Sequence, residues 1–168
     1  MSGIVVTKSS LLVVLPSATA LEKKQAAGGT VALSSFDNFM PPIPVTSLLA
    51  FEHPIHDPVG TIKTALSQAL AHYRPIAGRL DGHGGIVCTG EGVTFVGASA
   101  SCTLAEAMAA LPLHQLDLAV RYPGLLCRDA DPLLLAQVTE FSCGGFVVAA
   151  TGTTSWPTAR GWRSSCRP

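Results

Sequence analysis

PLLLAQVTEFSCGGFVVAAT, Pro132 to Thr151, decides how the rest of the chain is read. Two apolar runs, Leu133–Phe141 and Phe146–Ala150, meet at Ser142-Cys143-Gly144-Gly145. Leu135, Gln137, Thr139 and Phe141 alternate with Leu134, Ala136, Val138 and Glu140, which is the period of a strand. A glycine pair offers the positive backbone dihedrals of a tight turn, so the stretch predicts a β-hairpin. A single buried helix is the alternative, but each glycine at its centre would cost about 1 kcal/mol. A strand leaving such a turn is a natural base for a functional loop. Gly152–Pro168, which follows, does not resemble one.

Composition sets the background. Apolar residues make up 48% of the 168 and charged residues 13%, against about 25% charged in an ordinary globular domain. With so few charges to cover its outside, the chain is expected to turn some apolar face toward another surface. Net charge is zero, so nothing draws it generally to nucleic acid or to an acidic membrane. Arg160, Arg163 and Arg167 all follow Thr151 and no acid does, which leaves 8 basic against 11 acidic residues before that point. Three arginines among Trp156 and Trp162 are a weak nucleic-acid footprint without a folded platform. The cysteines at 88, 102, 127, 143 and 166 form no CxxC and no even framework. Such usage fits a reducing compartment, with thiols as small apolar residues. No basic-then-apolar leader opens the sequence, and Leu11–Leu15 is too short to span a bilayer. A soluble cytoplasmic protein is expected.

Working outward, Ile4–Thr7, Leu11–Leu15, Val31–Leu33 and Val45–Phe51 read as strands, with Leu21–Thr30 as a polar surface connection. Asp57 is a helix N-cap, Pro58 suits the first helical position and Pro75 stops the helix. Val59, Ile62, Leu66, Leu70 and Tyr73 give it one apolar face. Ile76–Leu80 is a short link. Ile86–Thr89 and Val93–Val96, divided by Gly90-Glu91-Gly92, predict a second hairpin. Thr103 and Glu106 have capping-box spacing at the head of a helix reaching Leu111. Asp117–Pro132 is irregular. Strands outnumber helices and helices interrupt them, so the fold class is α/β, in an α+β layered arrangement.

The residues alone offer no catalytic constellation. His53 and His56 stand three apart, with no Cys or carboxylate at ligand spacing, and Asp57 is accounted for as a cap. Asp81–Gly85 looks like a phosphate loop but precedes neither a helix nor a lysine, so it reads as a turn. Cys143 reads as a buried thiol rather than a nucleophile. No GxSxG occurs. Neither a metal-binding nor a cofactor-binding residue set emerges.

Tyr73-Arg74-Pro75-Ile76-Ala77-Gly78-Arg79-Leu80 resembles the Tyr-Tyr-Pro-Leu-Ala-Gly-Arg-Leu signature of the BAHD family, the plant coenzyme A-dependent acyltransferases. Leu33–Asp37 is similar to that family's Leu-Ser-x-x-Asp, and Ile62–Tyr73 to its Leu-Lys-x-Ser-Leu-Ser-x-x-Leu helix. Cys88–Ala98 resembles its Cys-x-Gly-Glu-Gly-Val-x-Phe-x-x-Ala hairpin, and Gln137–Val148 its Gln-Val-Thr-x-Phe-x-Cys-Gly-Gly hairpin. The similarity runs, with gaps, from about Val5 to Thr151.

The resemblance implies a chloramphenicol-acetyltransferase-like fold of two similar domains with the active-site channel between them, and acyl-CoA as co-substrate of intact relatives. It implies that Ser34, Phe36 and Asp37 line the acceptor side of that channel. It also implies an His-x-x-x-Asp loop directly after Thr151, whose imidazole takes the proton of an acceptor hydroxyl or amine. Here no His follows His114, and Gly152–Pro168 holds no Asp. Back-translated with GC-rich codons, Gly152–Pro168 reads, after one added T, Trp-Asn-His-Val-Val-Ala-Asp-Gly-Ala-Gly-Met-Ala-Gln-Phe-Leu-Gln-Ala. The motif reappears, its His straddling Thr153-Thr154 and its Asp Pro157-Thr158.

Residues 1–151 are therefore expected to be part of an N-terminal acyltransferase domain, and residues 152–168 a frameshifted, disordered tail. The chain is expected to be catalytically dead, with no catalytic residue of its own, marginally stable and prone to aggregate. A non-catalytic module that docks on intact relatives, or binds acceptor through Ser34–Asp37, is the alternative.

Overall fold

A computed structural model describes residues 4–17, 29–39, 41–110 and 117–153. The quoted stretch folds as read: β8 (Leu134–Phe141) and β9 (Phe146–Thr153) pair antiparallel, from Leu134 opposite Gly152 to Glu140 opposite Phe146. Only Gly144 of the glycine pair has a positive φ, at 83°. Gly145 is needed for room instead, since a Cβ there would lie 3.1 Å from the Phe51 carbonyl oxygen. β9 also runs two residues past Thr151, so Gly152 and Thr153 belong to the sheet, and the expectation for the tail otherwise falls on residues 154–168, outside the described residues.

β8 lies inside a six-stranded mixed sheet. On one side it runs parallel to β7 (Val93–Ala100), Thr94 opposite Leu135 through Ala100 opposite Phe141. Beyond β7, β1 (Val6–Lys8) pairs with its second half and β2 (Leu12–Val14) with its first. On the other side β9 is followed by β4 (Pro44–Phe51), antiparallel along all eight residues. A second sheet orders β3 (Thr30–Ala32), β6 (Gly85–Val87) and β5 (Arg79–Leu80).

The predicted 86–96 hairpin is therefore corrected. β6 and β7 belong to different sheets, and Gly90-Glu91-Gly92 carries the chain from one to the other. Gly92, at φ 85°, sits so close to the Val14 carbonyl that a Cβ would collide with it, and its N–H donates to the Ala77 carbonyl at 3.0 Å. The hairpin of this region is β5–β6, turned by Asp81–Gly84. There the Asp81 carboxylate accepts the amides of His83 and Gly85 at 2.7 and 2.8 Å, and those bonds hold its pKa below the usual carboxylate value.

Helix α2 (Pro58–His72) starts as predicted, the Asp57 carboxylate accepting the Gly60 amide at 3.0 Å. Leu70 is buried, with Val59, Ile62 and Leu66 packed beside it on Val93, Phe95, Ala136 and Val138. Tyr73 leaves this face: it is the helix C-cap and 49% exposed. Before Pro75 the chain tightens into a 3-10 turn, Arg74–Ala77. The sheet's other face is covered by α3 (Leu104–Ala109) and by the irregular segment from residue 117. The Thr103–Glu106 capping box is formed in both directions; Leu111, the expected end of α3, lies outside the described residues, as does most of Leu21–Thr30.

Arg79 ties the two sheets together. Its guanidinium donates to the carbonyls of Gly78 and Gly92 at 2.7 and 3.0 Å and pairs with Glu91 at 3.1 Å. Bonds from a charged donor contribute about 1.5–3 kcal/mol each, so Arg79→Ala is expected to lower stability by about 2–3 kcal/mol. Arg79→Lys should recover only part of this, because an ammonium lacks the planar fork in which Nη1 bonds both carbonyls while Nε faces Glu91. Urea melts of the three proteins check this; an Arg79→Ala loss below about 0.5 kcal/mol would contradict it.

Candidate functional site

The end of β9 is where the sequence resemblance expects a proton-abstracting side chain, and the structure builds a hollow beside it. Thr151 is buried and faces away from α2. Its hydroxyl donates to the Val120 carbonyl at 2.9 Å and receives the Thr46 hydroxyl at 2.9 Å, which locks β9, β4 and the irregular segment together. Within that segment the buried Tyr122 donates to the Pro132 carbonyl at 2.6 Å, and burial raises its pKa well above the usual phenol value. Burial also raises the pKa of the Cys127 thiol, while the Cys127 amide bonds the Pro42 carbonyl at 2.9 Å. The result is an open cavity of about 580 Å³, lined by Pro44, Thr46, Thr151, Arg121, Tyr122 and Leu125 among others. It offers an apolar wall, the three hydroxyl-bearing residues Thr46, Tyr122 and Thr151, and one guanidinium. Its lining holds no His, Cys, Lys, Asp or Glu, so the cavity can bind but holds no evident acid or base.

On the same face Gln137 is wholly buried. Its amide nitrogen donates to the Asp117 carbonyl at 2.9 Å and to the Thr139 hydroxyl at 3.0 Å, while its side-chain oxygen has no partner among the described residues. The Gln-Val-Thr of the hairpin motif thus ties the sheet to the irregular segment, a role that strand alternation alone did not reveal.

The residues expected to line an acceptor channel lie elsewhere. Ser34 and Asp37 cap helix α1 (Ser35–Phe39) reciprocally. The Ser34 hydroxyl donates to the Asp37 carboxylate at 2.6 Å, and the Asp37 amide donates back to the hydroxyl at 3.2 Å. Asp37 is buried and Ser34 exposed. Phe36 is carried on the same short helix. The group sits against the β5–β6 turn, where the Leu33 amide donates to the Gly84 carbonyl at 2.9 Å. The structure brings Ser34 and Asp37 together with each other, not with the cavity at the end of β9.

His53 and His56 are exposed in the connection from β4 to α2. Among the described residues no group of three or more His, Cys, Asp or Glu could hold a metal ion. Cys143 requires a correction: it is exposed in the β8–β9 turn, not buried, because the turn projects past the sheet. Its sulfur accepts the Leu104 amide at 3.4 Å, and this bond, followed by one from Gly145, lowers the thiol pKa. Cys88, Cys102 and Cys127 are buried. Modification of Cys143 by iodoacetamide, followed by peptide mass spectrometry, should therefore reach half its maximal rate at a lower pH in the folded chain than in urea. An unchanged or higher midpoint would contradict the contact.

Residues 4–153 match the Transferase family. Acyl transferase 15 of Oryza sativa subsp. japonica is 46% identical over 164 residues, a match covering 89% of this chain and 37% of that protein. A Crocosmia x crocosmiiflora enzyme, myricetin 3-O-glucosyl 1,2-rhamnoside 6'-O-caffeoyltransferase AT2, is 34% identical, covering 86% of this chain and 34% of its own length. The crystal structure of vinorine synthase superposes with a TM-score of 0.66 at 26% identity, covering 89% of this chain and 38% of that one. F. graminearum TRI101, complexed with ethyl coenzyme A, shares the fold with a TM-score of 0.55 at 18% identity, covering 77% of this chain and 35% of that one. The chain thus spans little more than a third of the length of the relatives it matches.

Proposed function

Given that the chain belongs to the Transferase family of BAHD-type acyltransferases and has part of their chloramphenicol-acetyltransferase-like fold, we propose that it is front-domain sequence of an acyl-CoA-dependent O- or N-acyltransferase whose base-bearing loop has been lost to a single-base frame slip. One observation carries this reading. β9 is in place, paired with β8 as far as Gly152 and with β4 as far as Thr153, yet no His or Asp stands in the sequence beyond it. A positioned imidazole contributes about 10²–10⁴-fold to a proton transfer of this kind, and the cavity beside Thr151 holds nothing that replaces it. The Tyr122 hydroxyl is engaged with the Pro132 carbonyl, and the Arg121 guanidinium offers donors only.

In the repaired frame the His follows Asn, in the position directly after Thr153. From there it would take the proton of an acceptor hydroxyl or amine as that atom attacks an acyl-CoA thioester, and return it to the coenzyme A thiolate that leaves when the C–S bond breaks. The neighbouring His-x-x-x-Asp aspartate would hold the loop's shape. The cavity lined by Pro44, Tyr122 and Leu125 supplies apolar walls suited to a small organic acceptor or acyl chain. The free thiols at 88, 102, 127 and 143 fit a reducing, cytoplasmic setting, and no helix among the described residues is long and apolar enough to cross a membrane.

The test is acyl transfer by the purified chain, with acetyl-CoA, benzoyl-CoA and a hydroxycinnamoyl-CoA as donors and a panel of alcohols, phenols and amines as acceptors. No ester or amide is expected above the enzyme-free rate. Product formation that scales with protein concentration would overturn the assignment of this sequence as inactive.

A further inference from the structure

Cys102 and Cys143 stand far apart in the sequence, and the fold brings them together. The parallel pairing of β7 with β8 ends with Ala100 opposite Phe141. Just past it the Ser142 amide donates to the Cys102 carbonyl at 3.1 Å, so residues 102 and 143 continue the same two neighbouring chains. Neighbouring strands run about 4.8 Å apart, inside the Cα separations of about 4.4–6.8 Å that a disulfide spans. The Cys143 sulfur turns toward that neighbour, accepting at 3.4 Å the amide of Leu104, two residues beyond Cys102. Burial, then negative charge on Glu106 and on Cys143 itself, raise the Cys102 pKa, so the two thiols feel each other. Both residues lie in turns rather than inside strands, where a side chain can swing without breaking a ladder. They differ in access. Cys143 is exposed, whereas Cys102 is buried in a cluster with Leu104, Phe141 and Val147.

We infer that Cys143 and Cys102 form a peroxide-sensitive dithiol site, with Cys143 as the attacking thiol and Cys102 as the resolving one. Access sets the order: the exposed sulfur meets hydrogen peroxide first, and its bonds to the Leu104 and Gly145 amides favour the thiolate that reacts. That thiolate attacks one peroxide oxygen. The O–O bond breaks, hydroxide leaves and takes up a proton as water, and Cys143 becomes a sulfenic acid. The Cys102 sulfur then attacks the Cys143 sulfur. An S–S bond forms, the S–O bond breaks, and the hydroxide leaves with the Cys102 proton as a second water. Two thiols have given two electrons to the peroxide. Cys88 and Cys127 are buried and stay out of this chemistry, Cys127 being engaged by Thr153 and Tyr122. The bond closes a ring that contains β8 and the segment walling the cavity beside Thr151, and a dithiol reductant reopens it. In a reducing setting the pair rests as two thiols until peroxide rises. Both cysteines precede Thr151, so the site stands whichever frame the sequence beyond it follows.

The experiment treats the full, reduced chain with hydrogen peroxide, blocks remaining thiols with N-ethylmaleimide and digests it without reductant for peptide mass spectrometry. A Cys102–Cys143 peptide pair is expected to outweigh every other pairing of the five cysteines at least tenfold, and to disappear on treatment with dithiothreitol. In urea that preference should vanish. In the Cys102→Ala chain the disulfide is lost and dimedone traps a sulfenic acid on Cys143; Cys102→Ser takes its place if the alanine variant does not fold. In the Cys143→Ser chain, altered at an exposed turn, Cys102 should remain a thiol. A dominant Cys143–Cys166 pair, a dimer linked through Cys143, or Cys143 oxidised to the sulfinic acid beside an unreacted Cys102 would overturn the inference. So would a dimedone adduct on Cys102 in the Cys143→Ser chain, or no oxidation of Cys143 at all.

Discussion

Strand β8 is the constraint on which the other elements depend. It is held parallel by β7 and antiparallel by β9, and seven of its eight residues are buried. A strand enclosed on two edges and two faces must find its polar partners within the protein, and among the described residues only the Gln137 side-chain oxygen on this strand goes without one. That accounts for the side chains chosen on its face opposite α2. Gln137 and Thr139 bond each other, and Gln137 reaches the Asp117 carbonyl, while Thr151 on β9 reaches the Val120 carbonyl. These bonds draw the irregular segment down onto the sheet. Without them Tyr122 and Arg121 would have no fixed place, and the cavity at the end of β9 would have no second wall.

The same strand fixes the end of β9. Pairing with β8 and β4 holds Thr151 and Gly152 opposite Thr46 and Val45, and Thr153 lies opposite Pro44. Rigid strand ends are good platforms for a reacting group. On the proposed reading this is where a base would stand, and the sequence beyond Thr153 carries no imidazole. The low charge content has a related reading. Exposed apolar residues stand at both ends of the large sheet, Val45, Leu49 and Phe51 on β4 and Leu12 and Val13 on β2.

Local chemistry was legible in the sequence; partnership was not. Asp57-Pro58 and Thr103–Glu106 announce helix starts because a cap involves only three or four neighbouring residues. The β8–β9 hairpin was legible for the same reason, as its turn sets its own register. The 86–96 segment misled because a glycine-rich turn fixes a change of direction without fixing which sheet receives the next strand. Contacts with Val14 and Ala77, distant in sequence, decide that. The parallel pairing of β7 with β8 and the cavity wall from residues 121–125 were likewise out of reach, since neither has a periodic signature. Cys143 was misplaced because a thiol's apolar character says nothing of whether its turn projects from the sheet. Ser34 and Asp37 have the spacing of a cap as well as of a motif, and the structure shows the cap being made.

The measurement that bears most directly on this account is the nucleotide sequence of the gene and its transcript across the Thr151 codon. One base should be missing there relative to a frame that continues Trp-Asn-His-Val-Val-Ala-Asp-Gly. An uninterrupted frame in both, encoding Gly152–Pro168 with no His-x-x-x-Asp in any neighbouring register, would contradict it.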